Sequence, residues 1–159
     1  MLARGVSCHD VHRPLVDADY GRLLEFRTSL RRFLSWSAQQ ARAQDLTPSQ
    51  HQLLLAIRGH PDPAGPSIGD VADYLLLRHH SAVGLVDRAQ AGGLVKRNPD
   101  PDRRGTVRVA LTNEGATRLE ALSALHGEEL ARLARTMRAL SKGLGDVEAG
   151  EPRRRDAAG

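Results

Sequence analysis

The chain has 159 residues, of which 40% are hydrophobic and 26% charged, enough for one domain with a core but few for two. It has no apolar run of the ~20 residues that cross a bilayer and no signal-peptide pattern, so we expect a cytoplasmic protein without a membrane partner. The single Cys8 excludes an intramolecular disulfide, and the net charge of +4 permits a polyanionic partner without requiring one.

The first predicted element is a long amphipathic helix. Residues 1–18 have no sustained periodicity and contain Pro14, which indicates a flexible arm. From residue 19 to about residue 43, apolar side chains recur at steps of three and four residues, which is typical of a helix with one apolar face. We assign residues 19–45 to this helix and its end.

The next segment, residues 46–112, predicts a compact lobe of short helices. Thr47, Pro48 and Gln50 have the pattern of a helix start with a capping box, and a proline-rich loop follows at residues 59–66. Ser67 caps a second helix of about two turns. A turn at residues 77–79 leads to a third helix, residues 80–91, which ends at two glycines.

A β-hairpin and a second long helix complete the pattern. Residues 94–97 and 106–111 favour strands, and the loop between them, residues 98–105, is too long for a tight turn. Thr112 caps a helix over residues 113–140, and the glycine-rich segment 141–159 is predicted to be disordered. The fold class is therefore mainly α with a small β-hairpin wing.

A helix, a turn, a second helix and a basic hairpin form a winged helix-turn-helix, which binds double-stranded DNA. The third helix of the lobe has a face opposite its core stripe, and we expect this face to lie in the major groove. We expect the arginines at the hairpin tip to lie in the minor groove. The candidate DNA-binding residues are Ser67, Arg78, His79, His80, Ser81, Gly84, Arg88, Arg103 and Arg104. Lys96, Arg97, Asp102 and Arg108 are candidates for supporting the wing, with Asp102 bracing one tip arginine.

Both long helices have apolar stripes wider than one small lobe covers, which favours a homodimer; an intramolecular bundle in a monomer is the alternative. The residues assigned to dimerisation are Leu23, Phe26, Leu30, Leu130, Leu133, Met137 and Leu140.

Five landmarks in order resemble the MarR (multiple antibiotic resistance regulator) family. They are residues 46–50 (LTPSQ), 81–88 (SAVGLVDR), 93–97 (GLVKR), 100–104 (DPDRR) and 111–115 (LTNEG), and the similarity covers about residues 19–140. The resemblance implies a homodimeric winged-helix regulator of a pseudo-palindromic operator, commonly a repressor that a small aromatic or phenolic effector releases. It also implies a ligand pocket between the long helices and the lobe, for which Phe33, Trp36, His51 and Leu55 are candidates. The wing tip is about one residue longer than the family pattern, so either Arg103 or Arg104 enters the groove.

Other chemistry is weakly supported. The sequence has no phosphate-binding glycine loop, no zinc-protease motif and no nucleophile elbow, so we expect no enzyme and no catalytic residues. No metal site or cofactor is predicted, because adjacent His79 and His80 diverge by about 100° on a helix. Two alternatives remain, which are an architectural DNA binder without sequence specificity and a redox-sensing regulator that uses Cys8.

Overall fold

The computed structural model describes residues 15–100 and 102–145. In chain order its elements are α1 (Asp17–Ala43), α2 (Pro48–Gly59), α3 (Ile68–Tyr74), α4 (His79–Ala91), β1 (Val95–Pro99), β2 (Val107–Leu111) and α5 (Asn113–Gly145). The described residues thus form five helices and one two-stranded sheet, which confirms the predicted fold class. Of these helices, none combines the length and the apolar character needed to span a membrane.

Packing divides the described residues into two units, residues 15–31 with 132–145 and residues 32–131. The hydrophobic core belongs to the second unit, where the predicted apolar stripes of α2, α3 and α4 meet the wing and the first half of α5. Its fully buried members include Leu53, Leu54, Val71, Val86 and Leu122. In the first unit, buried Asp19 accepts a hydrogen bond from Arg22 at 3.0 Å.

Helix α1 begins two residues earlier than the sequence suggested. Asp17 and Asp19 both lie in its first turn, where carboxylates interact favourably with the positive end of the helix dipole. The Asp19 carboxylate also accepts a hydrogen bond from the backbone N–H of Val16 at 3.1 Å. Residues 17 and 18, which were predicted to belong to the arm, are therefore part of α1. Residues 1–14 lie outside the described residues.

The two short helices α2 and α3 begin with capping boxes. Thr47 accepts a hydrogen bond from the N–H of Gln50 while the Gln50 side chain accepts one from the N–H of Thr47, as predicted. Ser67 and Asp70 form the same reciprocal pair at the start of α3. Both starts are local in sequence, which is why residue pattern alone located them.

Three helices of the second unit end in the same hydrogen-bond pattern. After α1, α3 and α4 the chain turns through one residue with positive φ, and the next N–H reaches back to the carbonyl five residues earlier. The turning residues are Asp45, Leu76 and Gly93, with φ of 55°, 53° and 71°. Because glycine is favoured at such a position, Leu76 is the unusual member, and it is also 93% exposed.

Both strands of the wing begin one residue later than expected, so Leu94 and Thr106 lie outside them, and the tip is one residue shorter than expected. β1 pairs with β2 in antiparallel register from Val95 opposite Leu111 to Pro99 opposite Val107, so residues 98 and 99 belong to a strand and not to the loop. Pro99 is tolerated because it stands at the end of the ladder, where its missing N–H is not required. The N–H of Val109 also donates to the carbonyl of Pro66 at 2.9 Å, which attaches the wing to the segment before α3.

Three further helix bounds differ from prediction. Gly59 is the last residue of α2 and not the first residue of the loop. His79 is the first residue of α4 and not part of the turn. Helix α5 continues to Gly145, five residues beyond its predicted end, because the glycines at positions 143 and 145 lower helix propensity without preventing a helix. The predicted disordered tail therefore loses residues 141–145, and residues 146–159 lie outside the described residues.

Candidate nucleic-acid interface

Helix α4 presents one face to the core and the opposite face outward. Ala82, Leu85, Val86 and Ala89 are buried, as predicted. Ser81, Gly84 and Arg88 follow each other at helical spacing on another face, where Arg88 is exposed. Arg78, His79 and His80 are exposed at the N-terminus of the helix. The structure thus brings six candidate DNA-binding residues to one surface.

Gly84 lies in the middle of this surface and has no packing reason to be glycine. A Cβ built on Gly84 would meet only the Nη1 atom at the tip of Arg88, at 3.4 Å, and that long exposed side chain can move. Glycine costs about 1 kcal/mol relative to alanine inside a helix. Its presence here is therefore unexplained by contacts within the described residues, and Arg88 forms no ion pair with any of them.

The wing tip is organised by Asp100, a residue that the sequence analysis did not single out. Its Oδ1 accepts hydrogen bonds from the N–H groups of Asp102 and Arg103, both at 2.8 Å, and its Oδ2 accepts one from Nε of Arg108 at 2.5 Å. The N–H of Asp102 and the Arg108 guanidinium hold the pKa of Asp100 below its ordinary value. Asp100 thus holds the backbone of the tip, because an aspartate accepts from amides two and three residues on, and the bracing of a tip arginine by Asp102 stays a prediction.

Arg108 connects the wing to the segment before α3. It is largely buried, donates to the carbonyl of Gly65 at 3.0 Å, and lies 3.5 Å from the carboxylate of Asp62 and 4.0 Å from that of Asp70. The hydrogen bond to Asp100 raises the pKa of Arg108 further. Because the Arg108 guanidinium is engaged in these structural contacts, it is poorly placed to bind a phosphate.

Arg97 has a similar supporting position between the wing and α4. It donates to the carboxylate of Asp87 at 2.6 Å and to the side-chain oxygen of Gln90 at 2.7 Å. Lys96 is exposed on β1, and Arg103 and Arg104 are exposed at the tip. Two cations of the wing, Arg97 and Arg108, are therefore bonded to other parts of the protein. The other three, Lys96, Arg103 and Arg104, are exposed.

The side chain of Ser67 caps the N-terminus of α3. Its hydroxyl donates to the carboxylate of Asp70 at 2.8 Å and also accepts from the Asp70 N–H. The N–H of Ser67 donates to the same carboxylate at 2.8 Å, and this bond, followed by the one from the hydroxyl, lowers the pKa of Asp70. Its side chain is half-buried, so it offers less to DNA than the exposed residues of α4.

A cavity of about 310 Å³ lies inside the second unit, lined mainly by α1, α2 and α5. Three of the four candidate ligand-binding residues, Phe33, His51 and Leu55, line it. Trp36 does not line it and instead packs its ring against that of His126, with centroids 4.8 Å apart. His126 and Ser37 also line the cavity, and the sequence analysis gave neither a role there. In the sequence, the position of His126 on the apolar stripe of α5 was the signal that could have identified it as a cavity residue.

The residues assigned to dimerisation differ in exposure. Phe26 and Leu30 on α1 are each 37% exposed and Leu130 on α5 is 48% exposed. The remaining four are half-buried or buried: Leu23, Leu133, Met137 and Leu140. Because Leu140 is 8% exposed, the chain itself covers it, and it has little surface left for a partner.

The structure bears on metal binding but not on the redox alternative. Within residues 15–100 and 102–145, no group of three or more histidine, cysteine, aspartate or glutamate side chains is placed to hold a metal ion. Cys8, on which the redox alternative depends, lies outside the described residues.

Comparison with known sequences identifies relatives. A family model described as MarR family matches residues 44–105. The HTH-type transcriptional repressor NicR of Pseudomonas putida is 34% identical over 108 residues, which is 67% of this chain and 65% of NicR. The chain thus spans somewhat less than two thirds of the length of this relative.

Solved structures show the same fold. Wild-type MarR from E. coli without ligand superposes with a TM-score of 0.62 at 23% identity, covering 86% of this chain and 98% of MarR. A mutant MarR from E. coli complexed with operator DNA gives a TM-score of 0.61 at 24% identity, covering 80% of this chain and 91% of that one. At this level of identity the similarity establishes the architecture.

Proposed function

Because the chain belongs to the MarR family of winged helix-turn-helix transcription regulators, a family without enzymatic activity, we propose that it binds operator DNA specifically. The observation that carries the proposal is the outward face of α4, where Gly84 stands between Ser81 and Arg88 and nothing within the described residues requires a bare backbone. Double-stranded DNA in the major groove is the partner that such a surface fits. The operator complex of a mutant MarR gives the precedent for this use of the fold.

In the proposed complex the outward face of α4 reads bases and the wing holds the flanking groove. Arg88 is suited to a bidentate contact with guanine, and Arg103 or Arg104 to the narrow minor groove. Arg78, His79, His80 and Ser81 contact base edges or phosphates at the start of α4, and exposed Lys96 supports phosphate contacts. Action on an operator would place the protein with the chromosome, in the cytoplasm.

The regulator acts as a homodimer in this proposal. Phe26, Leu30 and Leu130 leave apolar surface on α1 and α5 that a second copy would cover. A two-fold dimer sets two α4 helices about one turn of DNA apart, ~34 Å, and so fits a pseudo-palindromic operator. The name of NicR supports repression as the direction of control. The cavity beside His51 is proposed to take a small aromatic effector that changes the affinity for DNA.

Selection of bound sequences from a random DNA pool, followed by titration at several salt concentrations, tests the proposal. A specific regulator is expected to prefer its selected site over scrambled DNA by ~10³ or more, whereas an architectural binder would show nearly equal affinities. Arg88→Ala is expected to weaken binding by about 5-fold to 150-fold, and Arg104→Ala to weaken it and reduce the salt slope.

Arg58→Ala is the matched control, because Arg58 lies on α2 in an exposed ion pair with Glu120. Such a pair contributes little to stability. Operator affinity equal to wild type in both the Arg88 and the Arg104 variants would refute the assignment of the interface.

A further inference from the structure

One row of side chains on α4 has a gap at its centre. His80, Gly84 and Arg88 follow each other at steps of four residues, so they lie along one side of the helix, away from its buried stripe. Apart from its chain neighbours and the backbone of its own helix, a Cβ on Gly84 would meet only Nη1 of Arg88. The absent side chain therefore leaves a notch the size of a methyl group between an imidazole and a guanidinium.

The guanidinium of Arg88 lies at the edge of this notch. Its Nη1 is 3.4 Å from the position that a Cβ on Gly84 would take, so the side chain runs back along α4 toward the N-terminus. Long side chains on helices ordinarily take this direction. Because residue 84 is glycine, no side chain of its own stands between the backbone at that position and the guanidinium.

Arg88 keeps its hydrogen-bonding groups for a partner outside the chain. Among the residues that the structure describes, none forms a hydrogen bond or an ion pair with it. The neighbouring carboxylate of Asp87 is bonded to Arg97 at 2.6 Å, and no carboxylate belongs to the row itself. The exposed guanidinium therefore presents all of its N–H groups to solvent, beside a notch that contains no charged group.

The shape of DNA indicates what fills such a notch. An arginine that forms a bidentate contact with guanine lies in the plane of that base, so its flat face is turned toward the neighbouring base pair. In right-handed DNA, the carbon-5 edge of a pyrimidine lies above the major-groove edge of the guanine that follows it on the same strand. A methyl group on that carbon is an apolar group that would stand against the guanidinium face, at the place where α4 has no side chain.

From this geometry we propose that α4 recognises a pyrimidine 5-methyl group directly 5′ of a guanine. Arg88 binds the guanine, and the methyl group fills the notch at Gly84, which makes Gly84 a specificity-determining position. This inference rests on the proposed operator binding and deepens it by naming a base step of the half-site. Thymine carries the methyl group in unmodified DNA, and 5-methylcytosine carries the same group after methylation of cytosine. Cytosine and uracil lack it.

Fluorescence anisotropy with the selected operator at fixed salt tests the inference. The selected half-sites are expected to contain a thymine followed by a guanine, and replacing that thymine by deoxyuridine removes only the methyl group. Since burial of one methyl group corresponds to about 4-fold in Kd, the wild type should bind the deoxyuridine operator about 4-fold more weakly for each half-site changed. Cytosine and 5-methylcytosine, compared with each other at the same position opposite guanine, should differ by the same factor.

Gly84→Ala places a methyl group of the protein in the notch. This variant should no longer prefer thymine over deoxyuridine, nor 5-methylcytosine over cytosine. Gly21→Ala on α1 is the matched control and should keep both preferences of the wild type. If the alanine acted only by keeping the backbone away from the groove, it would weaken all four operators equally and both preferences would persist.

Equal wild-type affinities within either pair of operators, or a preference that persists in Gly84→Ala, would overturn the inference. Selected half-sites without a thymine 5′ of a guanine would do the same. Any of these results obtained with specific binding intact refutes only the inference. Equal affinities for selected and scrambled DNA instead refute the proposed function, on which the inference depends.

Discussion

Replacing Gly84 by alanine separates the stability of α4 from its proposed contact with DNA. Alanine inside a helix is favoured over glycine by about 1 kcal/mol. The added methyl group would meet only the tip of Arg88 at 3.4 Å, and a small rotation of that exposed side chain relieves the contact. We therefore expect Gly84→Ala to increase the free energy of unfolding by about 0.5–1 kcal/mol.

The same substitution is expected to weaken operator binding. A methyl group at this position enters the space in which the backbone of α4 would approach the groove, and a loss of 1.4 kcal/mol in binding corresponds to about tenfold. Urea unfolding at fixed protein concentration measures the first effect, and fluorescence anisotropy of labelled operator at fixed salt measures the second. The two effects have opposite signs, so a general disturbance of the fold cannot produce both.

Gly21→Ala in α1 is the matched control. Outside its chain neighbours and the backbone of its own helix, no described atom lies within 4 Å of the Cβ position of Gly21, so this variant should gain similar helix stability without losing affinity for DNA. An operator affinity for Gly84→Ala within about twofold of wild type would refute the placement of this face in the groove, because twofold is well below the ~1 kcal/mol expected of a lost close contact.

Three further predictions concern the scaffold. Leu76→Gly should stabilise the protein by about 0.5–1 kcal/mol in urea unfolding, because glycine relieves a positive φ and the 93% exposed side chain loses little buried surface. Leu77→Gly is the control, since Leu77 has no positive φ, and it should not stabilise the protein. Equal changes in the free energy of unfolding for the two variants would contradict this reasoning. Gly65→Ala should destabilise by at least ~2 kcal/mol in thermal unfolding, since its φ is +87° and a Cβ would stand 2.2 Å from the carbonyl oxygen of Val109; an unchanged midpoint would show that the wing is not held there. Because hydrogen bonds lower the pKa of Asp100, its contribution is present above the ordinary aspartate value of about 3.9 and is lost as the pH falls below it. Asp100→Asn should therefore accelerate hydrogen exchange of the Asp102 and Arg103 amides already at neutral pH, and unchanged protection would contradict the role of this carboxylate.

The sequence predicts features that depend on neighbouring residues and misses those that depend on distant ones. Thr47 and Gln50 are three positions apart, so their capping box is readable from the residue pattern. The pairing of His126 with Ser37 joins positions 89 residues apart, and no local pattern contains it.

The wing shows both cases in one element. Its strands follow from alternating β-favouring residues, but the role of Asp100 depends on the register that brings Arg108 beside it. The sequence analysis therefore recognised a basic hairpin but did not single out Asp100. Likewise, Trp36 was a reasonable cavity residue by composition, and the packing of its ring on His126 could be known only from the structure.

The network around Asp100 also has a consequence for the entropy of binding. A long charged loop normally loses conformational freedom when it settles into a groove, and that loss opposes association. Here the backbone at Asp102 and Arg103 is already held by one carboxylate, which Arg108 in turn fixes to Gly65. Much of the ordering of the tip thus takes place during folding, so the exposed arginines would meet DNA from a restricted set of positions.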